Sequence, residues 1–134
     1  MKKIFLVILA SIVIVTGCAK TPISAKETIV EHCVSISKSN DSSAIRKELA
    51  ELEKMTKDNS LTEEDRMFAQ YTYNISYGAV KVDLSGKAVS VFDFPEIELL
   101  SATVGAIGRG EMTMDETMLE ESVNFLEKVE EFLK

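Results

Sequence analysis

The chain has 134 residues, of which 22 are acidic and 15 basic, and its formal net charge is −7 at pH 7. An acidic surface repels phosphate groups, so nucleic acid is not expected as a partner. No residue set typical of an enzyme, a metal centre or a nucleotide site stands out, so we do not expect an enzyme.

The first 18 residues have the layout of an export signal. Lys2 and Lys3 precede an apolar run over residues 4–15 that only Ser11 interrupts. This run is shorter than the about 20 residues that a helix needs to cross a bilayer, and it has the usual length of a signal-peptide core. Val15-Thr16-Gly17-Cys18 follows the run and resembles the lipobox of bacterial lipoproteins.

The resemblance implies cleavage after residue 17 and a covalent lipid on Cys18, which would anchor the chain in a membrane. Ala19 then points to the outer membrane, facing the periplasm, if the source is Gram-negative. We expect 1–17 to be the signal peptide, 18–23 the lipidated cysteine and a short tether, and 24–134 a single helical domain. From Cys18 onward, 13 basic and 22 acidic residues give a net charge of −9. The alternative is a simple membrane-anchor helix with an incidental cysteine.

Capping motifs in front of helical apolar patterns predict three helices in the first part of the domain. Ser24-x-x-Glu27 begins a helix from about residue 25 to 37. The polar cluster at 39–42 ends it and begins a second helix, and Ser60-x-x-Glu63 begins a third. The apolar stripe of the second helix consists of Ile45, Leu49, Leu52 and Met55.

Residues 71–92 permit two interpretations. Apolar residues keep helical spacing to about residue 83, which favours continuation of the third helix. Yet tyrosine and isoleucine alternate with polar residues over 71–77, and Ser85-Gly86-Lys87 could be the turn of a β-hairpin. We favour the helix, because an isolated two-stranded hairpin is marginally stable by itself.

Two further helices are predicted after a boundary at Phe92-Asp93-Phe94-Pro95. Pro95 suits the first turn of the fourth helix, and the nearly all-apolar segment 99–107 predicts that this helix is buried at the centre of the fold. Thr113-x-x-Glu116 caps a last helix that runs to the C-terminus. The predicted fold class is mainly α, a small bundle of about four to five helices, with the hairpin within 71–92 as the alternative.

Neither catalytic residues nor metal ligands are predicted, and the lipid on Cys18 is the only attached group expected. His32 and Cys33 are adjacent in a helix, so their side chains point about 100° apart and do not form a catalytic pair. One histidine and one free cysteine cannot supply a tetrahedral zinc set without help from carboxylates. Cys33 is expected to be a small buried residue without a disulfide partner.

Candidate partner contacts come from two groups of residues. Glu120, Glu121 and Glu127 lie on the acidic last helix, where they would offer a docking face to a cationic envelope or secreted protein. Tyr71 and Tyr77 could line a pocket, although a core role is favoured. The expected function is therefore a membrane-tethered, non-enzymatic binding module, for example of the immunity or inhibitor type. The alternative is a structural envelope lipoprotein that acts through membrane attachment or self-association.

Overall fold

The computed structural model describes residues 24–90 and 92–134, and the predicted signal peptide, Cys18 and the tether lie outside them. Within these ranges all regular structure is helical, which confirms the predicted mainly α bundle. No helix of the described residues is both long and apolar enough to cross a membrane. The described residues form five helices: α1 (Ala25–Lys38), α2 (Ser42–Thr56), α3 (Glu63–Ser85), α4 (Ile97–Gly108) and α5 (Glu116–Phe132).

The first helix begins with the predicted capping box. The Ser24 hydroxyl accepts from the backbone N–H of Glu27 at 3.2 Å, and the Glu27 carboxylate accepts from the backbone N–H of Ser24 at 3.0 Å. At α2, the Asp41 carboxylate accepts from the N–H of Ser43 at 3.1 Å. Both caps satisfy backbone donors that the first helical turn leaves unpaired.

The predicted N-caps of the third and last helices each lie two residues too early. Thr62, not Ser60, caps α3 by accepting from the N–H of Asp65, while Ser60 donates to the Asp58 carboxylate in the preceding turn. Likewise Asp115, not Thr113, caps α5. Both segments contain two possible caps two residues apart, so the sequence pattern alone does not select between them.

The alternative β-hairpin within 71–92 is wrong, because α3 continues to Ser85 and ends at Gly86, whose φ of 77° is the left-handed conformation of a helix C-cap. The tyrosine and isoleucine residues that alternate with polar residues over 71–77 instead form two pairs, and the members of each pair are four residues apart on one side of the helix. Tyr71 and Ile75 are fully buried in the core. Tyr73 and Tyr77, also four residues apart, stack on each other with ring centroids 5.5 Å apart.

The central helix is α3, which packs against all four other helices. The prediction that residues 99–107 form the buried centre is therefore wrong. α4 packs against α1 and α3 and buries one stripe, while Leu99 is 68% exposed on its outer side. An apolar segment needs a covering element on every side to be fully buried, and α4 lies at the edge of the bundle. The buried stripe of α4 consists of Ile97, Leu100, Ser101, Val104, Gly105 and Ile107.

α3 and α5 approach each other closely at Gly78. A Cβ atom added there would lie 2.5 Å from Cε2 of Phe125, so a side chain at this position would collide with the ring. Phe125 is 1% exposed and packs edge to face on Phe94, with ring centroids 5.8 Å apart. Glycine thus permits an aromatic side chain to fill the space between the two helices.

Side-chain contacts show which helix ends lie together. Lys26 Nζ, in the first turn of α1, lies 2.8 Å from Asp65 Oδ1 at the start of α3. Glu64 accepts from the N–H of Met114, just before α5, at 3.0 Å. We call this the amino end of the bundle. At the opposite end, Lys87 Nζ donates to the carbonyl of Phe132 at 2.7 Å and so joins the residues after α3 to the end of α5.

Candidate functional site

The outer side of α5 carries a row of carboxylates that we call the acidic face. Its residues recur every three or four positions, so they share one side of the helix, and all are exposed. None of its carboxylates forms an ion pair with another residue of the described ranges. The buried residues of α5, Ser122, Phe125 and Val129, occupy the other side. The acidic face consists of four glutamates and one valine between them: Glu116, Glu120, Val123, Glu127 and Glu130.

The three glutamates that we predicted to form one docking face do not lie on the same side of α5. Glu120 and Glu127 belong to the acidic face, whereas Glu121 lies about 100° further around the helix. Glu121 lines a depression of about 290 Å³ between α4 and α5, together with Leu99 and Lys128. A partner that contacts Glu120 and Glu127 would therefore meet Glu121 only at the edge of its footprint.

The two candidate tyrosines have different environments. Tyr71 is fully buried, and its hydroxyl donates to the carbonyl of Leu100 at 3.4 Å, so a partner cannot reach it in the folded protein. Tyr77 is half-buried, and Lys81 Nζ lies 5.3 Å from the centre of its ring, which is a cation–π contact. Tyr77 therefore remains available to a ligand, whereas Tyr71 does not.

Cys33 and His32 occupy separate environments, as their helical spacing predicts. Cys33 is fully buried, and Ser76 Oγ donates to its Sγ at 3.5 Å. His32 is partly exposed, and its Nδ1 lies 2.6 Å from Glu48 Oε1, so the pair links α1 to α2. In the part of the chain that the structure covers, no three His, Cys, Asp or Glu side chains are placed to hold a metal ion.

Burial raises the pKa of the Cys33 thiol to about 11. Burial also raises the pKa of Tyr71 to about 12, and the nearby Glu121 carboxylate adds to that effect. In both cases the folded state favours the protonated form. The stabilisation is complete below the unfolded pKa, near 9 for the thiol, and is lost as pH rises through the folded pKa.

We therefore expect the free energy of unfolding to fall between about pH 9 and pH 12, with Cys33 contributing on the order of 2 kcal/mol. Urea titrations from pH 8 to pH 12 measure this fall. Cys33→Ala removes the thiol and should flatten part of the curve. Tyr71, Tyr73 and Lys26, whose pKa values are also raised in the folded state, keep their contributions at the highest pH. Parallel curves for the wild type and Cys33→Ala would contradict the expectation.

The structure also contains a groove between α2 and α3 that the sequence patterns did not predict. It has a volume of about 340 Å³ and lies beside Tyr77. Arg46 and Lys81 both line it, although they are distant in sequence. Nothing in the sequence pairs these two residues, because their proximity depends on the alignment of the two helices. The lining residues are Ser42, Ile45, Arg46, Leu49, Tyr77, Val80, Lys81, Leu84 and Ser85.

Comparison with protein-family models, curated proteins and solved structures finds no match to this chain.

Proposed function

We propose that the chain is a bacterial envelope lipoprotein, held at the membrane by a lipid on Cys18, whose helical domain is a non-enzymatic module that binds a cationic protein. If the source is Gram-negative, its location is the outer membrane, facing the periplasm. The observation that carries the binding proposal is the acidic face of α5, whose carboxylates are exposed and form no ion pair within the described ranges. The lipobox resemblance supports the membrane attachment.

The direction of the helices is compatible with this arrangement. Residues 18–23 span at most about 20 Å when extended, and the chain enters the bundle at Ser24, at its amino end. From Glu116 to Glu130 the acidic face extends about 21 Å along α5, away from that end. In an anchored protein the face would therefore extend from the membrane side of the domain towards the aqueous compartment, where a soluble partner can reach it.

A cationic partner is the chemistry that suits this face. The chain from Cys18 onward has a net charge of −9, and carboxylates in a row attract basic proteins over distances near the Debye length, about 8 Å in physiological salt. Charges at the rim of an interface mainly increase the association rate and select between partners. The expected partner is thus a basic envelope or secreted protein, such as a toxin or hydrolase that the module would inhibit.

The test compares residues 19–134 with Glu120→Lys/Glu127→Lys. A partner is first captured by crosslinking in envelope extracts, and its association rate is then measured at 0.1 M and 1 M salt. We expect the reversal to slow association at 0.1 M by about tenfold, and salt to slow the wild type as the Debye length shrinks from about 10 Å to about 3 Å. Dissociation and thermal stability should change little, since exposed charges contribute little to stability.

The matched control is Glu31→Lys/Glu98→Lys, which makes the same change in net charge at exposed positions on α1 and α4. If the control slows association as much as the Glu120/Glu127 reversal, net charge and not the acidic face attracts the partner. If neither salt nor the Glu120/Glu127 reversal changes the association rate, the acidic face is only a solvated surface.

The second candidate is a structural lipoprotein that acts through self-association. The exposure of two large apolar side chains favours it: Phe92 is 87% exposed and Leu99 is 68% exposed. Single exposed apolar residues are common on soluble proteins, so this observation weighs less than the acidic face. The same crosslinking experiment separates the two candidates, because a structural protein would yield only complexes of the chain with itself.

A further inference from the structure

The groove between α2 and the second half of α3 has a nearly buried apolar floor and an exposed apolar residue, Leu84, at one end. Ile45, Leu49 and Val80 form its base and retain 3%, 8% and 6% exposure, whereas the central core residues retain almost none. Leu84, at the end of the groove nearest the C-terminus of α3, is 51% exposed. A ligand that lay here would remove apolar surface from water, which is the main source of affinity for an alkyl chain.

Two cations flank this apolar surface from opposite sides. Arg46 projects from α2 and Lys81 from α3, and neither forms an ion pair with another residue of the described ranges. Ser42 and Ser85 line the same groove and add hydroxyl groups. In a chain with seven more acidic than basic residues, two uncompensated cations beside an apolar groove are complementary to a ligand with one anionic group and one apolar chain.

We propose that this groove binds an anionic single-chain amphiphile, a long-chain carboxylate in chemical terms, with its chain against Leu49, Tyr77 and Leu84 and its head group between Arg46 and Lys81. The volume of about 340 Å³ lies near the lower limit of small-molecule sites, which span about 300–1,000 Å³, and this favours one alkyl chain over two. Guanidinium and ammonium groups both donate charge-assisted hydrogen bonds to carboxylates.

The small volume of the groove disfavours an acidic amphipathic helix as the occupant. Two turns of such a helix are about 11 Å long and about 10 Å wide and occupy on the order of 800 Å³, more than twice the about 340 Å³ of the groove. The amphiphile site is independent of the lipid anchor and of the acidic face. It therefore succeeds or fails separately from the proposed function.

The experiment titrates residues 19–134, which include every described helix, with laurate below its critical micelle concentration, by calorimetry and by NMR chemical shifts. We expect saturable binding, with shifts at residues 42–49 and 77–85. Arg46→Gln/Lys81→Gln should weaken the affinity by about tenfold or more, since loss of one charge-assisted hydrogen bond can account for that factor. Leu84→Glu should weaken it as well, because it places a carboxylate beside the alkyl chain.

The matched control is Lys47→Gln/Lys54→Gln, which removes the same charge from exposed positions of α2 outside the groove and should leave the affinity unchanged. Dodecyltrimethylammonium, with the same chain and the opposite charge, should bind at least about tenfold more weakly than laurate. Circular dichroism confirms that each variant is folded. The proposal is overturned if the binding of laurate is not saturable, if the cationic amphiphile binds equally well, or if the groove variant and the control variant have the same affinity for laurate. Binding of an acidic amphipathic peptide without laurate binding would also overturn it.

Discussion

Replacing Phe125 by alanine is expected to lower the free energy of unfolding by about 3–5 kcal/mol. The side chain is 1% exposed and fills the space between α3 and α5, where it packs against Phe94 and the bare backbone of Gly78. Alanine would leave a cavity between the two helices. They cannot move together to fill it, because contacts elsewhere along them, such as the one between Asn74 and Ser122, fix their separation. Domains of this size have a total stability of about 5–15 kcal/mol, so the substitution would remove a large fraction of it.

Urea unfolding followed by far-UV circular dichroism measures this loss. The control is Val123→Ala on the same helix, where the side chain is 40% exposed and belongs to the acidic face. Truncation at that surface position should change stability by only about 0.5 kcal/mol. Equal effects of the two substitutions would show that Phe125 does not fill a rigid space, and that α5 is packed differently from the arrangement described above.

Replacing Cys18 by serine is expected to abolish lipid attachment, because no other residue near the predicted cleavage site provides a thiol. Cells producing the wild type should incorporate labelled palmitate into the protein, and cells producing Cys18→Ser should not. The variant should also keep its signal peptide, since cleavage in the lipoprotein family follows modification of the cysteine. Two or more acyl chains are needed for stable anchoring, so the unmodified variant should also lose the lipid-dependent part of its membrane attachment.

Cys33→Ser provides the control for this experiment. Its thiol lies buried in α1, with the pKa raised to about 11, and we expect the lipid label to be retained when it is changed. Equal labelling of Cys18→Ser and the wild type would refute the lipoprotein proposal. Such a result would leave the acidic face and the groove as properties of a protein located elsewhere.

Local sequence signals were sufficient for the helices whose ends are marked by side-chain caps. Ser24-x-x-Glu27 correctly gave the start of α1, because the two hydrogen bonds of a capping box involve only neighbouring residues. The same logic failed by two residues at Thr62 and Asp115, where adjacent polar residues offered competing caps. These errors concern boundaries and do not change which segments are helical.

Properties that depend on how helices are arranged could not be read from one segment. The apolar content of residues 99–107 suggested a central helix, but the centre belongs to α3, whose mixed polar and apolar residues are buried on several sides. One buried polar group there, Asn74, has its partner on another helix: it donates to Ser122 of α5 at 3.0 Å. The sequence did identify the acidic character of α5. It could not show that Glu121 turns towards α4, or that Arg46 and Lys81 share a groove.

The packing of α5 on α3 also has a consequence for synthesis of the chain. α1, α2 and α3 follow one another in sequence and pack together, whereas α5 reaches α3 only after residues 86–115 have been made. Because the ribosome delivers the N-terminus first, the side of α3 around Asn74 and Gly78 has no cover until the last helix emerges. A nascent or truncated chain that ends before Glu116 would keep this surface open to chaperones and proteases.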